Sequence, residues 1–454
     1  MRFALHYLRL SRQKHMILEK MMKWAFYYLS LGKEILFVLI WVAVQKYLFF
    51  DTLQSFHSSP QFASTNELTG YGVALAKACA AVINFNSALL VVSMCQISIT
   101  ALQASPLGRI IPFEKYRVAH RMASCSIVTY SLVHTAAHYY NYAQIPTNWL
   151  ALAFKTGPGL TGHGLWLCLL TIGGTSLFKC VRKSSFEVFW YTHYLSLVFL
   201  LLLNFHGAFC FIKRDFNPQC PGARSWRWLV GPCTLFMVEL AIREWRSHRF
   251  TFISKVVVHQ ANVIETQLKK PSFVFKPGQY VQLNCPEISF VQWHPFTVTS
   301  APEEGFISVH VKMVGCWTKK LGALLGVQFK EGVNGYTAPA QFPQIFIDGP
   351  YGSVSESFDR FDVAICIGAG IGQTPFASIL KSMWYSITHP TQQAKLKRIV
   401  YYGLSREVQV SYMAFKRILY FFSRCRGFGF AKGIGRAGNE LISLGAEHLH
   451  DRHT

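Results

Sequence analysis

Residues 118–143 read VAHRMASCSIVTYSLVHTAAHYYNYA and residues 188–212 read VFWYTHYLSLVFLLLLNFHGAFCFI, two apolar stretches that each carry a matched pair of histidines. His120 and His134 are fourteen residues apart, and His193 and His206 are thirteen apart. At 1.5 Å rise per residue each pair spans roughly 20 Å of helix axis, against about 30 Å of bilayer hydrocarbon. One histidine of each pair then sits near one membrane face and its mate near the other. If the two helices are neighbours, the four imidazoles form two pairs at two depths. Imidazole is a good axial ligand for haem iron, so the pattern predicts two stacked bis-histidine b-type haems. No Cys-x-x-Cys-His occurs, so covalent haem attachment is not expected. A lone intramembrane histidine is more often a buried polar residue bonded to a neighbouring helix. The repeated spacing on two helices favours the metal. Fourteen steps of 100° return a side chain to within about 40° of its start, but thirteen leave it about 140° away. The second helix must therefore bend, bulge or present its two haems from different sides.

The chain has 454 residues, enough for two or three domains, and 51% of them are hydrophobic. The formal charge of +23 raises nucleic acid as a partner. Here the Lys and Arg residues cluster beside apolar spans, which fits anionic lipid and membrane topology, so no nucleic-acid partner is expected. Twelve cysteines are scattered without a metal-ligand spacing and read as mostly buried thiols in a reducing setting. Cys210 and Cys220, flanking an expected outer loop, are the candidate exceptions. The basic N-terminus lacks a small-residue cleavage site and is not read as a signal peptide.

Six spans are predicted, at about 33–50, 71–104, 118–143, 160–178, 188–212 and 228–243. The second is too long for one straight span and must tilt or leave the bilayer. Basic residues precede the first span (Arg2, Arg9, Arg12, Lys14) and recur after spans two, four and six. The loop at 51–70 has no Lys or Arg. The positive-inside rule then places both termini in the cytosol of an integral protein of the plasma or an internal membrane. Lys213, Arg214, Arg224 and Arg227 depart from the rule and are assigned to acidic headgroups or a partner.

After residue 249 the pattern changes. Alternating runs such as TFISKVVVHQANVIETQLKK, with Pro277-Gly278 as a turn, read as an antiparallel β-barrel over 250–345. In the remainder, 346–454, DVAICIGAG is an apolar strand, GAGIGQTP a glycine-rich turn, FASILKSMWYSI a helix and RIVYYGLSR a second strand. Strand, helix, strand reads as a βαβ unit whose turn lets a phosphate approach backbone N–H groups. The fold class is thus multidomain: a six-helix transmembrane haem-binding bundle over 1–249, an antiparallel β-barrel and an α/β nucleotide-binding domain, which a family resemblance marks as FAD-binding and partial respectively.

These stretches together resemble the catalytic subunits of the NADPH oxidase family, within the wider ferric reductase superfamily. The matching segments are NFN (84–86), the four histidines, SFEVFWYTHYL (185–195), GQYVQLNCP, WHPFTVTSAPEE, DGPYG (348–352) and GAGIGQTPFASILKSMWY (368–385), in family order. The resemblance implies that His120, His134, His193 and His206 ligate the haems. It implies that His294, Pro295, Phe296, Thr297 and Ser300 hold FAD, with Val314, Gly315, Trp317 and Thr318 bordering its pyrophosphate. Gly349, Pro350, Gly352, Gly368, Gly370, Gly372, Thr374 and Pro375 match the nicotinamide-nucleotide side. Arg406 matches an arginine that pairs with the 2′-phosphate of NADPH, which suits a guanidinium fork. His138 matches a non-ligand histidine above the outer haem, where oxygen is reduced. Lys77 stands where the family usually has arginine, Gln96 replaces another basic residue and Cys316 an acidic one.

Family members continue with further strands, a Cys-Gly-Pro segment and a terminal aromatic. This chain ends in GFGFAKGIGRAGNELISLGAEHLHDRHT, which has no clear strand–helix alternation. The expectation is a truncated domain with an unpaired sheet edge and an incomplete nicotinamide site.

The implied activity is transfer of electrons from NADPH through FAD and two b haems to O₂, giving superoxide. A hydride brings two electrons and haem accepts one at a time, so flavin must stand between them. The alternatives are a metalloreductase of the same architecture with ferric iron as acceptor, or a truncated haem-binding chain without NADPH turnover. Implied partners are O₂, the lipid bilayer, cytosolic activators and a small membrane subunit. No EF-hand loop occurs, so direct calcium control is not expected.

Overall fold

A computed structural model describes residues 31–388, apart from 210–214, 216–221, 260–261, 331–332, 354, 357 and 359–362, together with 398–405, 428–434 and 440–446. Arg406, Cys210 and Cys220 lie outside the described residues, as do Lys213 and Arg214. The chain divides into two units, 1–239 and 240–454.

The first unit is helical: α1 (Leu31–His57), α2 (Ala63–Thr69), α3 (Gly72–Val92), α4 (Gln96–Ala104), α5 (Tyr116–Gln144), α6 (Trp149–Lys155), α7 (Gly157–Leu177), α8 (Lys179–Ser184), α9 (Phe186–His193), α10 (Leu195–His206) and α11 (Trp226–Ser247). The division between the units falls inside α11. Among the described residues, three segments are long and apolar enough to cross a membrane: Leu31–His57, Gly72–Val92 and Phe186–His206. Helices α5, α7 and α11 also reach spanning length, at 29, 21 and 22 residues, but α5 interleaves histidines and arginines and α11 holds Pro232 and Glu239.

One sequence expectation for this unit needs correction. The stretch read as one span over 71–104, tilted or leaving the bilayer, is two helices. It breaks at Ser93–Cys95, where Cys95 leaves the helical region at ψ 79°. The cause lies far along the chain: the Glu239 carboxylate accepts from Ile97 N at 2.9 Å and Ser98 N at 2.7 Å, capping the new helix start. The second histidine stretch carries an irregularity of the kind its thirteen-residue spacing calls for. It is interrupted at Tyr194, directly after His193, where Tyr194 N bonds Tyr191 O and Leu197 N bonds Tyr194 O. That local tightening rotates one histidine against the other, the adjustment that thirteen residues require.

Small residues let α3 and α5 approach closely. Ala74, Ala76, Ala78, Cys79 and Val82 of α3 and Ala123 and Ile127 of α5 are buried. Asn86, the last residue of NFN, is fully buried and fully used: its amide donates to Gln45 Oε1 at 3.0 Å and accepts from Trp41 Nε1 at 3.1 Å. Ser126 Oγ donates to the same Gln45 oxygen at 2.5 Å, so one polar network joins α1, α3 and α5. In an apolar surrounding such a network specifies helix register, because breaking any member leaves a polar atom unpaired.

The second unit begins with strands β1 (Phe252–His259), β2 (Val263–Lys269), β3 (Tyr280–Asn284), β4 (His294–Thr297), β5 (Ile307–Lys312), helix α12 (Cys316–Leu324), β6 (Val327–Lys330), β7 (Val333–Tyr336) and β8 (Phe346–Tyr351). They pair as antiparallel sheets β1-β2-β5, β4-β3-β8 and β6-β7, with a Val298–Val309 bridge joining the first two. Strand pairing carries this antiparallel region through Tyr351, beyond residue 345. Alternate residues face one core that includes Ile264, Leu268, Val281, Val298, Val309 and Ile347. Edge position explains how Pro295 is tolerated in β4.

A further sheet contains β9 (Val363–Ala369) and β10 (Arg398–Ser405), which are parallel and joined across α13 (Thr374–Thr388). The tail expectation is overturned in one respect. Residues Phe428–Ile434 (β11) and Glu440–Ala446 (β12) form an antiparallel hairpin, and β12 pairs with β10 from Val400↔Gly445 to Ser405↔Glu440. The sheet order is β11-β12-β10-β9, so the edge expected to stay bare is covered. A strand edge presents a row of unpaired donors and acceptors, and even a glycine-rich segment with weak alternation gains by pairing with it.

Candidate functional site

Helix α5 and the interrupted α9–α10 bring the four histidines into two pairs. The ring centroids of His120 and His193 are 6.3 Å apart, and those of His134 and His206 are 6.0 Å apart. Two imidazoles that ligate one iron from opposite sides, each nitrogen about 2 Å from the metal, place their centroids about 6 Å apart. The residues therefore fit a bis-histidine haem at each level.

The other ring nitrogens strengthen that fit. His120 Nδ1 lies 2.9 Å from Ser93 Oγ, His134 Nδ1 lies 2.9 Å from the Ala76 carbonyl and His206 Nδ1 lies 2.8 Å from Thr161 Oγ1. A carbonyl can only accept, so His134 carries its proton on Nδ1 and leaves the Nε2 lone pair for a metal. Ser93 and Thr161 permit the same tautomer. Ser93 Oγ is itself committed as a donor to Leu90 O at 2.6 Å, which makes it an acceptor toward His120. His193 Nδ1 is buried with no hydrogen-bond partner among the described residues. Sequence reasoning missed Ser93 and Thr161, since single hydroxyl residues in apolar helices carry no spacing signal.

His138 and Lys77 gather at the His134–His206 level. The His138 ring meets His134 edge to face at 4.6 Å and stacks with Tyr142 at 6.0 Å. Its Nδ1 is buried and has no partner among the described residues. Lys77, on α3, is close enough for its charge to act on His134, His138 and His206, and its Nζ lies 5.9 Å from the Phe56 ring. Gln96 begins α4, away from this group in the sequence of elements.

In the second unit, β4 and α12 bring the two flavin-type motifs together. The His294 ring stacks on Trp317 at 4.2 Å, and Phe296 lies 6.1 Å from the same indole. Gly315 caps α12: its N–H donates to Thr318 Oγ1 at 3.0 Å. Val314 and Cys316 flank it and are exposed. Thr297 pairs with Tyr280 across β3 and β4. Ser300 is buried; its Oγ accepts from Ser308 N at 3.0 Å and its carbonyl accepts from Ser378 Oγ at 2.6 Å. Lys381 meets Glu304 at 3.1 Å and Ser382 meets Glu303 at 3.0 Å, so the SAPEE segment seats α13.

The nucleotide-type residues divide between two places. Gly349, Pro350 and Gly352 follow Asp348 at the end of β8. Burial, and then the Asp348 charge, hold the Tyr351 phenol well above its ordinary range, so it stays a hydrogen-bond donor to that carboxylate. Gly368, Gly370, Gly372, Thr374 and Pro375 form the turn from β9 into α13. A side chain at Gly368 would meet Gln373 Cγ at 2.9 Å and Cα at 3.0 Å, so strand and turn pack there without a Cβ. Gly370 adopts φ +53°, which favours glycine, and open space lies beside it and beside Gly372. Pro375 in the first turn of α13 needs no N–H partner. This is a backbone cradle at a helix start, suited to a phosphate.

Comparison with known proteins follows the same division. The family described as ferric reductase like transmembrane component matches residues 77–204, and the FAD-binding domain family matches residues 249–355. The chain is 35% identical over 402 residues to a superoxide-generating NADPH oxidase heavy chain of Dictyostelium discoideum, covering 84% of this chain and 75% of that one. It is 30% identical over 446 residues to NADPH oxidase 3 of Homo sapiens, covering 84% and 78%. NADPH oxidase 1 of Mus musculus is 30% identical over 441 residues, with 82% and 73% covered.

Proposed function

This chain belongs to the NADPH oxidase family, and from that premise we propose that it takes electrons from NADPH and delivers them singly across a membrane to O₂, forming superoxide. It is an oxidoreductase with a ferric reductase like membrane component and an FAD-binding domain. When bound, flavin supplies the conversion of a two-electron hydride into single electrons, and haem iron supplies single-electron relay.

The chain's own residues have separable tasks in this reading. His120 with His193, and His134 with His206, hold iron at two depths of a six-helix bundle. Ser93, the Ala76 carbonyl and Thr161 fix ring orientation and keep Nε2 free. Lys77 supplies positive charge beside the outer pair, where an anionic product forms in an apolar surrounding. His138 offers Nδ1 to that product as a hydrogen-bond donor. His294, Phe296 and Trp317 form the aromatic wall of the flavin site, with Pro295, Thr297, Ser300, Gly315 and Thr318 beside it. Gly349, Pro350 and Gly352, the Gly368–Gly372 turn and Thr374–Pro375 serve the nicotinamide nucleotide, and Arg406 pairs with its 2′-phosphate. The basic loops keep both termini in the cytosol, where NADPH is available. Cytosolic activators and a small membrane subunit complete the proposal.

The observation that carries this reading is the pair of imidazole separations, 6.3 and 6.0 Å, with three of the four outward nitrogens already committed. Purified chain is expected to give two b-type haems in a pyridine haemochrome assay and NADPH-dependent, dismutase-sensitive cytochrome c reduction. His138→Leu is expected to slow superoxide formation with haem content unchanged. Absence of haem ends the reading. Ferric reduction that dismutase does not touch, without a superoxide signal, assigns the chain to metal reduction instead.

A further inference from the structure

Three strands of the FAD-binding region bring together side chains that the flavin and haem sites do not use. Glu265 of β2 stands directly opposite His310 of β5. His259 lies on β1 two residues beyond Val257, the β1 partner of Glu265, so all three share one face of the sheet. His259 Nε2 is 3.3 Å and His310 Nε2 is 3.8 Å from the same carboxylate oxygen, Oε2. One ligand atom from each residue lies within 4.8 Å of the others. The two imidazoles are nearly parallel, with centroids 5.3 Å apart.

We propose that His259, Glu265 and His310 form a binding site for a divalent transition-metal ion, best suited to Zn²⁺. Two neutral imidazole nitrogens and one carboxylate oxygen are a borderline-soft donor set of the kind Zn²⁺ takes with water as its fourth ligand. Ligand atoms around a tetrahedral Zn²⁺, each about 2.0–2.1 Å from the metal, lie about 3.3 Å from one another. The separations from Oε2 are already close to that value. Mg²⁺ and Ca²⁺ favour all-oxygen shells, whereas the trio offers one carboxylate beside two imidazoles.

The surrounding groups orient the trio as a metal site needs. Thr299 Oγ1 holds His310 Nδ1 at 2.9 Å, turning Nε2 toward the carboxylate. Gln267 Nε2 donates to the other Glu265 oxygen at 2.9 Å and leaves Oε2 for the centre. Lys381, whose charge also acts on Glu265, is paired with Glu304 at 3.1 Å. The side chains of His259, Glu265 and His310 keep 15, 16 and 9% exposure. Thr299 follows the HPFT segment by two residues, so a metal here ties β1, β2 and β5 to the strand that carries the flavin motif. The consequence is that Zn²⁺ stiffens the flavin-binding region.

The test uses full-length protein in detergent with haem and FAD bound. Chelator-treated wild type, His259→Asn and Glu265→Gln are equilibrated with buffered Zn²⁺, freed of loose metal by gel filtration and assayed for zinc, haem and FAD by elemental analysis and absorbance. Wild type is expected to keep about one zinc per chain more than either variant, and Zn²⁺ to raise its temperature of flavin release but not theirs. Equal zinc in wild type and variants overturns the site. If a variant fails to retain flavin, the wild type decides alone: no zinc carried through gel filtration and no shift in flavin release overturn the proposal.

Discussion

Arg246 Nη2 lies 2.6 Å from Asp348 Oδ1, an ion pair that ties the end of α11 to the end of β8. Arg243 Nε meets the second oxygen at 2.7 Å, and the Tyr351 hydroxyl donates to it as well. Asp348 is 1% exposed while the arginines keep 18 and 27%. The aspartate that opens DGPYG therefore anchors this segment and is covered on every polar side. Asp348→Asn is expected to leave two cations facing a neutral amide and to cost about 3 kcal/mol. The arginines recover some water, which keeps the loss at the low end of the range for buried pairs. Flavin release on heating measures it; an unchanged release temperature refutes the anchoring role.

Thr161 and His206 separate holding a metal from orienting its ligand. His206→Ala is expected to lose one of two haems, read as a halved haem-to-protein ratio. Thr161→Val keeps the imidazole but removes its 2.8 Å partner. Losing the group that orients a ligand typically weakens metal binding by about 10–100-fold, so this variant should retain haem on purification, release it faster to apomyoglobin and show an altered midpoint potential for one haem only. Identical potentials in Thr161→Val and wild type refute the orienting role.

Lys270 gives a pH signature. Its ammonium donates to Ile347 O at 2.6 Å and Arg246 O at 2.8 Å. Burial pulls its pKa down to about 8 from the ordinary 10.5, Arg246 and Arg249 pull the same way, and Asp348 opposes them. The unfolded chain binds this proton up to higher pH than the folded one, so the group adds stability as pH rises from about 8 toward 10.5. The melting temperature of wild type minus that of Lys270→Met should rise between about pH 7.5 and 9.5, a window chosen to bracket that shift. A flat or falling difference contradicts the assignment.

Gly368 is the place where one methyl group tests the nucleotide cradle. An added Cβ would stand 2.9 Å from Gln373 Cγ and 3.0 Å from its Cα, forcing the turn away from β9. Gly368→Ala is expected to weaken NADPH binding by about tenfold or more, the scale of a misplaced phosphate contact. Haem and FAD content should not change. Stopped-flow reduction across NADPH concentrations reads the effect as a raised KM, and wild-type KM speaks against the cradle.

Much of this molecule was legible along the chain because the signals are local. Membrane helices announce themselves by apolar length, and strands such as β2 and β5 by alternation. The turn at Gly368–Gly372 stands between a recognisable strand and helix, and the spacing of His120, His134, His193 and His206 divides them into two levels. Even the thirteen-residue spacing required an irregularity in the second histidine stretch, though not its location at Tyr194.

What the chain alone left open depends on partners that are distant in sequence. The break after Val92 is stabilised by Glu239, more than 140 residues on, so no window around Ser93 reveals it. Thr161 meets His206 across 45 residues, and β12 reaches β10 across a segment whose glycines blur any strand periodicity. His259, Glu265 and His310 lie within ordinary alternating strands, and only antiparallel register brings them to one point. Hydrophobic patterning decides which residues leave water, and it repeats within a few positions. Hydrogen bonds and ligand sets need angstrom distances between atoms, and only the packed tertiary structure supplies those.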